Sequence, residues 1–131
     1  MFTIQQIKEA HEKVKSGSDF PKYMQDIIAF GVTSFETFVF DNHTNYYGEN
    51  NFKITSEGFL ETLKIADENN IEQFKSDLKL HQHGKTDYIT FLNDCAKSGV
   101  EKWIVVIMDK MTCSYYDKIG NIMLVEVIPT I

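Results

Sequence analysis

Residues 19–47, DFPKYMQDIIAFGVTSFETFVFDNHTNYY, and residues 87–115, DYITFLNDCAKSGVEKWIVVIMDKMTCSY, lie over one another without a gap. Asp19/Asp87, Asp26/Asp94, Gly31/Gly99, Val32/Val100, Asp41/Asp109, Thr44/Thr112 and Tyr47/Tyr115 are identical, and Tyr23/Phe91, Met24/Leu92 and Phe35/Trp103 differ conservatively. A recurring segment of this kind marks an internal repeat. It predicts that one structural unit is used twice, over about residues 1–55 and 69–131.

Each unit reads as two helices followed by a strand meander. Ile4, Ile7, Ala10 and Val14 fall at helical spacing, which predicts a helix over 3–16 stopped by Ser-Gly-Ser at 16–18. Asp19 opens a second helix with Pro21 in its first turn, and Gly31 ends it; Tyr23, Met24, Ile27 and Ile28 form its buried face. The Val-, Thr- and Phe-rich stretch 32–40 reads as a strand, followed by short strands through Tyr46–Tyr47 and over 52–55. A connecting helix is expected over about 56–67. The cycle then restarts with helices at 71–82 and 87–98 and strands at 101–108, 112–116 and 122–128.

One such unit cannot bury both its sheet face and its helix stripes, so the two should pack together about a pseudo-two-fold axis. The expectation is a single α+β domain spanning 1–131, an antiparallel sheet with helices mainly on one face.

Composition narrows the function classes. The 131 residues are 43% apolar and 24% charged, as in a globular chain able to form its own core. All 13 basic residues are lysine and the net charge is −6. Without arginine's planar donors or a positive balance, phosphate-neutralising nucleic-acid binding is disfavoured. No apolar run approaches a membrane span, and the N-terminus does not read as a secretory signal. With two unpatterned cysteines, this predicts a cytoplasmic protein.

Asp41-Asn-His-Thr-Asn-Tyr-Tyr-Gly-Glu-Asn-Asn51 holds the densest set of functional side chains. The gapless repeat sets it against Asp109-Lys-Met-Thr-Cys-Ser-Tyr, which keeps Asp, Thr and Tyr but places Met111 opposite His43. Residues kept in both copies read as scaffold. The unshared His43, Asn45, Tyr46 and Glu49 are therefore the candidate ligand- or partner-binding residues, and the shared Tyr47 beside them is counted with the same surface. A histidine flanked by carboxylates can transfer protons near neutrality, so His43 with Glu49 or Asp41 forms the weaker catalytic candidate set. His81-Gln-His83 is a fragment of a metal motif, but positions two apart diverge on a helix, so no metal is expected and both read as solvent-exposed helix-end histidines. Cys95 reads as core, and Cys113 lacks a resolving partner. Asp26 and Asp94 recur mid-helix and are candidates for hydrogen bonding across the halves. No phosphate-cradling glycine loop occurs, and no cofactor is expected.

The strings GVTSFETFVFDNHTNYYGEN (31–50) and CAKSGVEKWIVVIMDKMTCSYYDKIGN (95–121) resemble the YdfO-like family of small bacterial and prophage proteins, over about Ile4 to Pro129. Many members of that family carry the label "phage envelope protein". The Asp-x-His-Thr-x-Tyr-Tyr-Gly string at 41–48 is the most specific part of the resemblance. It implies a compact α+β fold and a bacterial or phage origin, and supplies no activity, cofactor or catalytic residue.

The leading expectation is a non-enzymatic binding or regulatory module that uses the 41–51 surface for a small ligand or a protein partner, with homodimer formation left open. A small hydrolase or isomerase using His43 and a phage structural or assembly protein are the alternatives.

Overall fold

The helix boundaries are set by local hydrogen bonding that the sequence anticipates. In the computed structural model, which describes residues 2–14, 19–58, 62–107 and 111–127, Thr3 forms a reciprocal capping box with Gln6 at the start of helix α1 (Ile4–Glu12). Helix α2 (Phe20–Phe30) carries Pro21 in its first turn and closes at Gly31, whose φ of 107° is left-handed. Asn70 caps α3 (Ile71–Gln82) by accepting from Gln73 N, and Asp87 caps α4 (Tyr88–Lys97) by accepting from Thr90 N. The Ser-Gly-Ser at 16–18 lies outside the described residues.

After α2 come strands β1 (Val32–Phe38), β2 (Thr44–Gly48) and β3 (Lys53–Ser56). After α4 come β4 (Lys102–Val106), β5 (Thr112–Tyr116) and β6 (Ile122–Val127). They form one six-stranded sheet in the order β3-β2-β1-β4-β5-β6, every neighbouring pair antiparallel. The element order of the first half recurs in the second, and each half's strands run outward from the central β1–β4 pair.

Successive side chains of a strand point to opposite faces. Phe35, Thr37, Tyr46, Trp103, Val105, Cys113 and Tyr115 are buried beneath the helices together with Ile7, Met24, Ile27, Phe74, Leu78 and Leu92. The other face carries Glu36, Lys102 and the exposed Val106 and Val125. Glu36 pairs with Lys102 at 2.8 Å, and the ammonium lies over the Phe38 and Tyr116 rings. The helices thus cover one face of an α+β fold, as the sequence predicts.

Three expectations are corrected. Residues 57–58 and 62–70 are not helical, and 59–61 lie outside the described residues, so the connecting helix expected over 56–67 is not seen in its described part. There the backbone donors reach across to neighbouring segments: Leu63 N to Phe40 O at 2.6 Å, Ala66 N to Ala96 O at 2.9 Å and Asn70 N to Ser98 O at 2.9 Å. Ile28, expected in the buried face of α2, is 38% exposed. The gapless repeat register also fails after β1. Phe35 pairs with Tyr46 whereas Trp103 pairs with Tyr115, so the second turn is one residue longer. The structural counterpart of Tyr46 is Tyr115, and the identical pair Tyr47/Tyr115 faces opposite sides of the sheet. Asp109, matched to Asp41, lies outside the described residues.

Gly99 carries the tightest demand on the connection between halves. Its φ is +86°, and a Cβ there would stand 2.7 Å from Glu68 O and 2.9 Å from Asn69 Cα. Gly99→Ala meets both the left-handed strain, about 1–2 kcal/mol, and a backbone clash. The expected outcome is an unfolding free energy, from urea titration, lowered by at least that much, whereas Gly120→Ala, with nothing within 4 Å of the added Cβ, shows the strain alone. Equal losses in the two variants would show that the close approach is unimportant.

Candidate functional site

Strand alternation divides the 41–51 segment between two environments. Asn42, Thr44 and Tyr46 border a cavity of about 660 Å³ between the helices and the sheet. His43, Asn45 and Tyr47, the intervening residues, stand on the other side.

On that outer side, His43 Nδ1 lies 2.6 Å from Asp41 Oδ1, and the same carboxylate oxygen accepts the His43 backbone N–H. The imidazole is stacked 4.5 Å above the Phe38 ring and lies edge-on to Phe40. Asn45 bridges neighbouring strands, donating to Glu36 and accepting from the Thr55 hydroxyl. Lys53 sits over the Tyr47 ring at 5.9 Å. Glu49 is exposed beyond the far end of β2. At about 3.3 Å per residue, the strand holds His43 and Glu49 roughly 20 Å apart, so this pair does not converge. Asp41 and His43 do.

The cavity draws on both halves. Its rings are Tyr23, Phe35 and Tyr46 from the first half and Tyr88, Phe91, Trp103 and Tyr115 from the second. Close packing normally leaves few voids larger than a water molecule, whereas small-molecule sites occupy about 300–1,000 Å³. The helices pack as α1 with α2 and α3 with α4. Across the gap between these pairs, His11 of α1 meets Tyr88 of α4 edge-on at 5.6 Å, and Tyr88 donates to Asn42 Oδ1.

The two halves line the cavity differently. In the first, Thr37 and Thr44 share a hydrogen bond at 2.8 Å, Tyr23 and Tyr46 hydroxyls meet at 3.3 Å, and Ser56 donates to Thr44 O. In the second, the equivalent cross-strand pair is Val105 with Cys113. Burial holds the Cys113 thiol neutral, its pKa pushed up to about 12, and raises those of Tyr23, Tyr46, Tyr88 and Tyr115 as well. This is not the environment of an activated thiolate.

Two histidines border the cavity, and the sequence reading did not single out either for this site. His11 stands edge-on to Tyr23 and Tyr88. His81, 8% exposed, stacks on Phe91 at 4.4 Å and 10°, with Nδ1 held 3.1 Å from Thr86 O. The expectation of a solvent-exposed His81 is therefore corrected, whereas His83 caps the helix in the open. Helical spacing from Ile7 and Leu78 was the available signal, since it puts His11 and His81 on the inward stripes. Among the described residues, no three His, Cys, Asp or Glu side chains group to hold a metal ion. Asp26 pairs within its helix with Lys22 at 2.8 Å. Burial raises the Asp94 pKa, and Asp77 adds to the effect.

These features define an α+β protein with an aromatic-walled cavity between one sheet face and two helix pairs. The chain belongs to the family described as "Protein of unknown function (DUF1398)", which matches residues 8–127. No curated protein matches it. No helix among the described residues is long and apolar enough to cross a membrane.

Desolvation lowers the pKa of both cavity histidines below the ordinary 6.5; in His81 the Thr86 carbonyl and the Asp87 and Asp94 charges oppose the shift without reversing it. Below that pH the unfolded chain binds protons that the folded chain resists, so acidification removes stability from about pH 6.5 down to the lowered values. The urea midpoint is expected to fall between about pH 7.5 and 5.5. The fall should shrink when His11→Gln and His81→Gln are combined. A flat profile in the parent chain would contradict this linkage.

Proposed function

We propose that the chain is a non-enzymatic cytoplasmic binding module whose ligand is a small, mainly apolar, aromatic-sized molecule taken into the cavity rather than onto the outer 41–51 surface. One observation carries this reading: a cleft of about 660 Å³, open on one side, is walled by rings from both halves. A site of this kind fits a small molecule better than a nucleic acid or membrane, because it offers concave apolar surface and few converging polar groups. Of the five residues singled out for binding, Tyr46 contributes to the cavity; His43, Asn45, Tyr47 and Glu49 lie elsewhere.

A hydrolase or isomerase reading rests on the 2.6 Å Asp41–His43 pair. It is the weaker reading because His43 is not among the cavity-lining residues. A bacterial or prophage origin, carried by the YdfO-like resemblance, is compatible with ligand binding. An envelope-assembly role makes no use of the cavity.

Trp103 is the single tryptophan and borders the cavity, so it can report occupancy. With prodan, a neutral environment-sensitive naphthalene, the expected result is blue-shifted probe emission with matching loss of Trp103 emission by energy transfer. Cys113→Phe, which fills cavity space, should weaken binding at least tenfold. The His43→Ala, Asn45→Ala, Tyr47→Ala triple variant should bind like the parent. Loss in the triple variant with retention in Cys113→Phe would transfer the site to the outer face.

A further inference from the structure

Among the buried polar side chains of the cavity wall, His81 presents a ring nitrogen whose role is fixed by its partners. His81 Nδ1 faces the Thr86 carbonyl oxygen at 3.1 Å, with the Thr86 hydroxyl 3.3 Å away. A carbonyl oxygen can only accept, so Nδ1 carries the proton and Nε2 holds a lone pair. His81 Nε2 has no hydrogen-bond partner among the described residues. Yet no fully buried side-chain nitrogen or oxygen among them lacks a partner. Nε2 must therefore keep open surface although the residue is only 8% exposed, and the open space His81 borders is the cavity. The Phe91 ring stacked against the imidazole and the Thr86 contact fix its orientation.

Other polar groups of the wall are committed or less constrained. Thr37 and Thr44 bond each other, as do Tyr23 and Tyr46, and Tyr88 donates to Asn42. His11 has ring contacts on two sides, but no hydrogen bond fixes its tautomer.

We infer that His81 Nε2 is the specificity-determining acceptor of the cavity, selecting neutral aromatic ligands that carry one hydroxyl or N–H donor. This rests on the cavity being the binding site. A carboxylate is disfavoured on the same grounds: its oxygens face a lone pair rather than a proton, and three carboxylates, Glu12, Glu57 and Glu126, border the cavity against one lysine, Lys8. An ether of the same shape loses the hydrogen bond and leaves Nε2 desolvated without a partner, which is the expensive outcome for a buried acceptor.

Three naphthalenes of one frame separate these terms: 1-naphthol, 1-methoxynaphthalene and 1-naphthoate, titrated calorimetrically into the parent chain at about pH 7.5. The expected order is naphthol tightest, methoxynaphthalene about tenfold weaker, and naphthoate weakest. His81→Phe keeps a ring against Phe91 but removes the acceptor. It should abolish the preference for naphthol over methoxynaphthalene, weakening naphthol and, with the unpaired acceptor gone, tightening methoxynaphthalene, whose retained binding also verifies that the variant is folded. Equal affinity of naphthol and its methyl ether in the parent chain would overturn the assignment to Nε2. If prodan still bound with energy transfer from Trp103, the cavity reading would survive that failure. If neither prodan nor any naphthalene bound, both readings would fall.

Discussion

The antiparallel ladder between β1 and β4 is the constraint on which the rest of the molecule depends. It aligns Ser34 with Val106, Phe35 with Val105, Glu36 with Ile104, Thr37 with Trp103 and Phe38 with Lys102. The other strand pairings join elements within one half; this one unites the halves into a single sheet. A one-residue slip of β1 would turn Glu36 toward the helices and expel Phe35, and a slip of β4 would do the same with Lys102 and Trp103. Register is strongly specified wherever only one face is buried. The Glu36–Lys102 ion pair sits across a diagonal of the same ladder, with Lys102 covering Phe38 and Tyr116, so the outer face favours the same register.

Once the register is fixed, the cavity follows from how each helix pair is attached. α2 runs directly into β1 through Gly31, and α4 approaches β4 through Gly99, so each pair is anchored over its own half. The chain between the halves is held to α4 and its end by the Ala66–Ala96 and Asn70–Ser98 backbone bonds. Over the seam, rings rather than interlocking helix ridges fill the layer. His11 and Tyr88 meet edge-on there, with the rest of the cavity wall supplied by residues reaching in from both sides.

Much of the fold was legible because its signals are local. The helix-ending glycines and apolar stripes at helical spacing each act within a few residues, and Asp19 does stand at the start of α2 although it makes no side-chain cap hydrogen bond there, whereas the caps at Thr3 and Asp87 were not singled out. The connecting segment was misread because Phe59, Leu60 and Leu63 have apolar spacing suited to a helix, while the backbone bonds that hold the described part out of a helix go to Phe40, Ala96 and Ser98, which are distant in sequence. The candidate site failed differently. His43 through Tyr47 were grouped by proximity in sequence, but a strand's two-residue period places Thr44 and Tyr46 on one face and His43, Asn45 and Tyr47 on the other. A single extra residue between β4 and β5 also hid the true counterparts. Tyr46 corresponds to Tyr115, and His43, whose carbonyl accepts from Phe38 N, corresponds to Thr112 rather than Met111.

The corrected register gives the repeat a different meaning. Shared residues still serve the scaffold, as Gly31 and Gly99 show at equivalent helix ends. The divergence lies on the cavity wall: Thr37 and Thr44 in one half stand where Val105 and Cys113 stand in the other. The two halves therefore border an amphipathic space, with the Thr37–Thr44 hydroxyl pair on one side and Cys113 among the rings of Phe91, Trp103 and Tyr115 on the other. On the proposed reading, a ligand there would touch both halves at once, and its binding free energy would add to the β1–β4 ladder that joins them. Binding to the folded state alone shifts the unfolding equilibrium by mass action, so occupancy and the integrity of the seam are coupled. The repeat supplies the frame, and its departures from symmetry supply the chemistry.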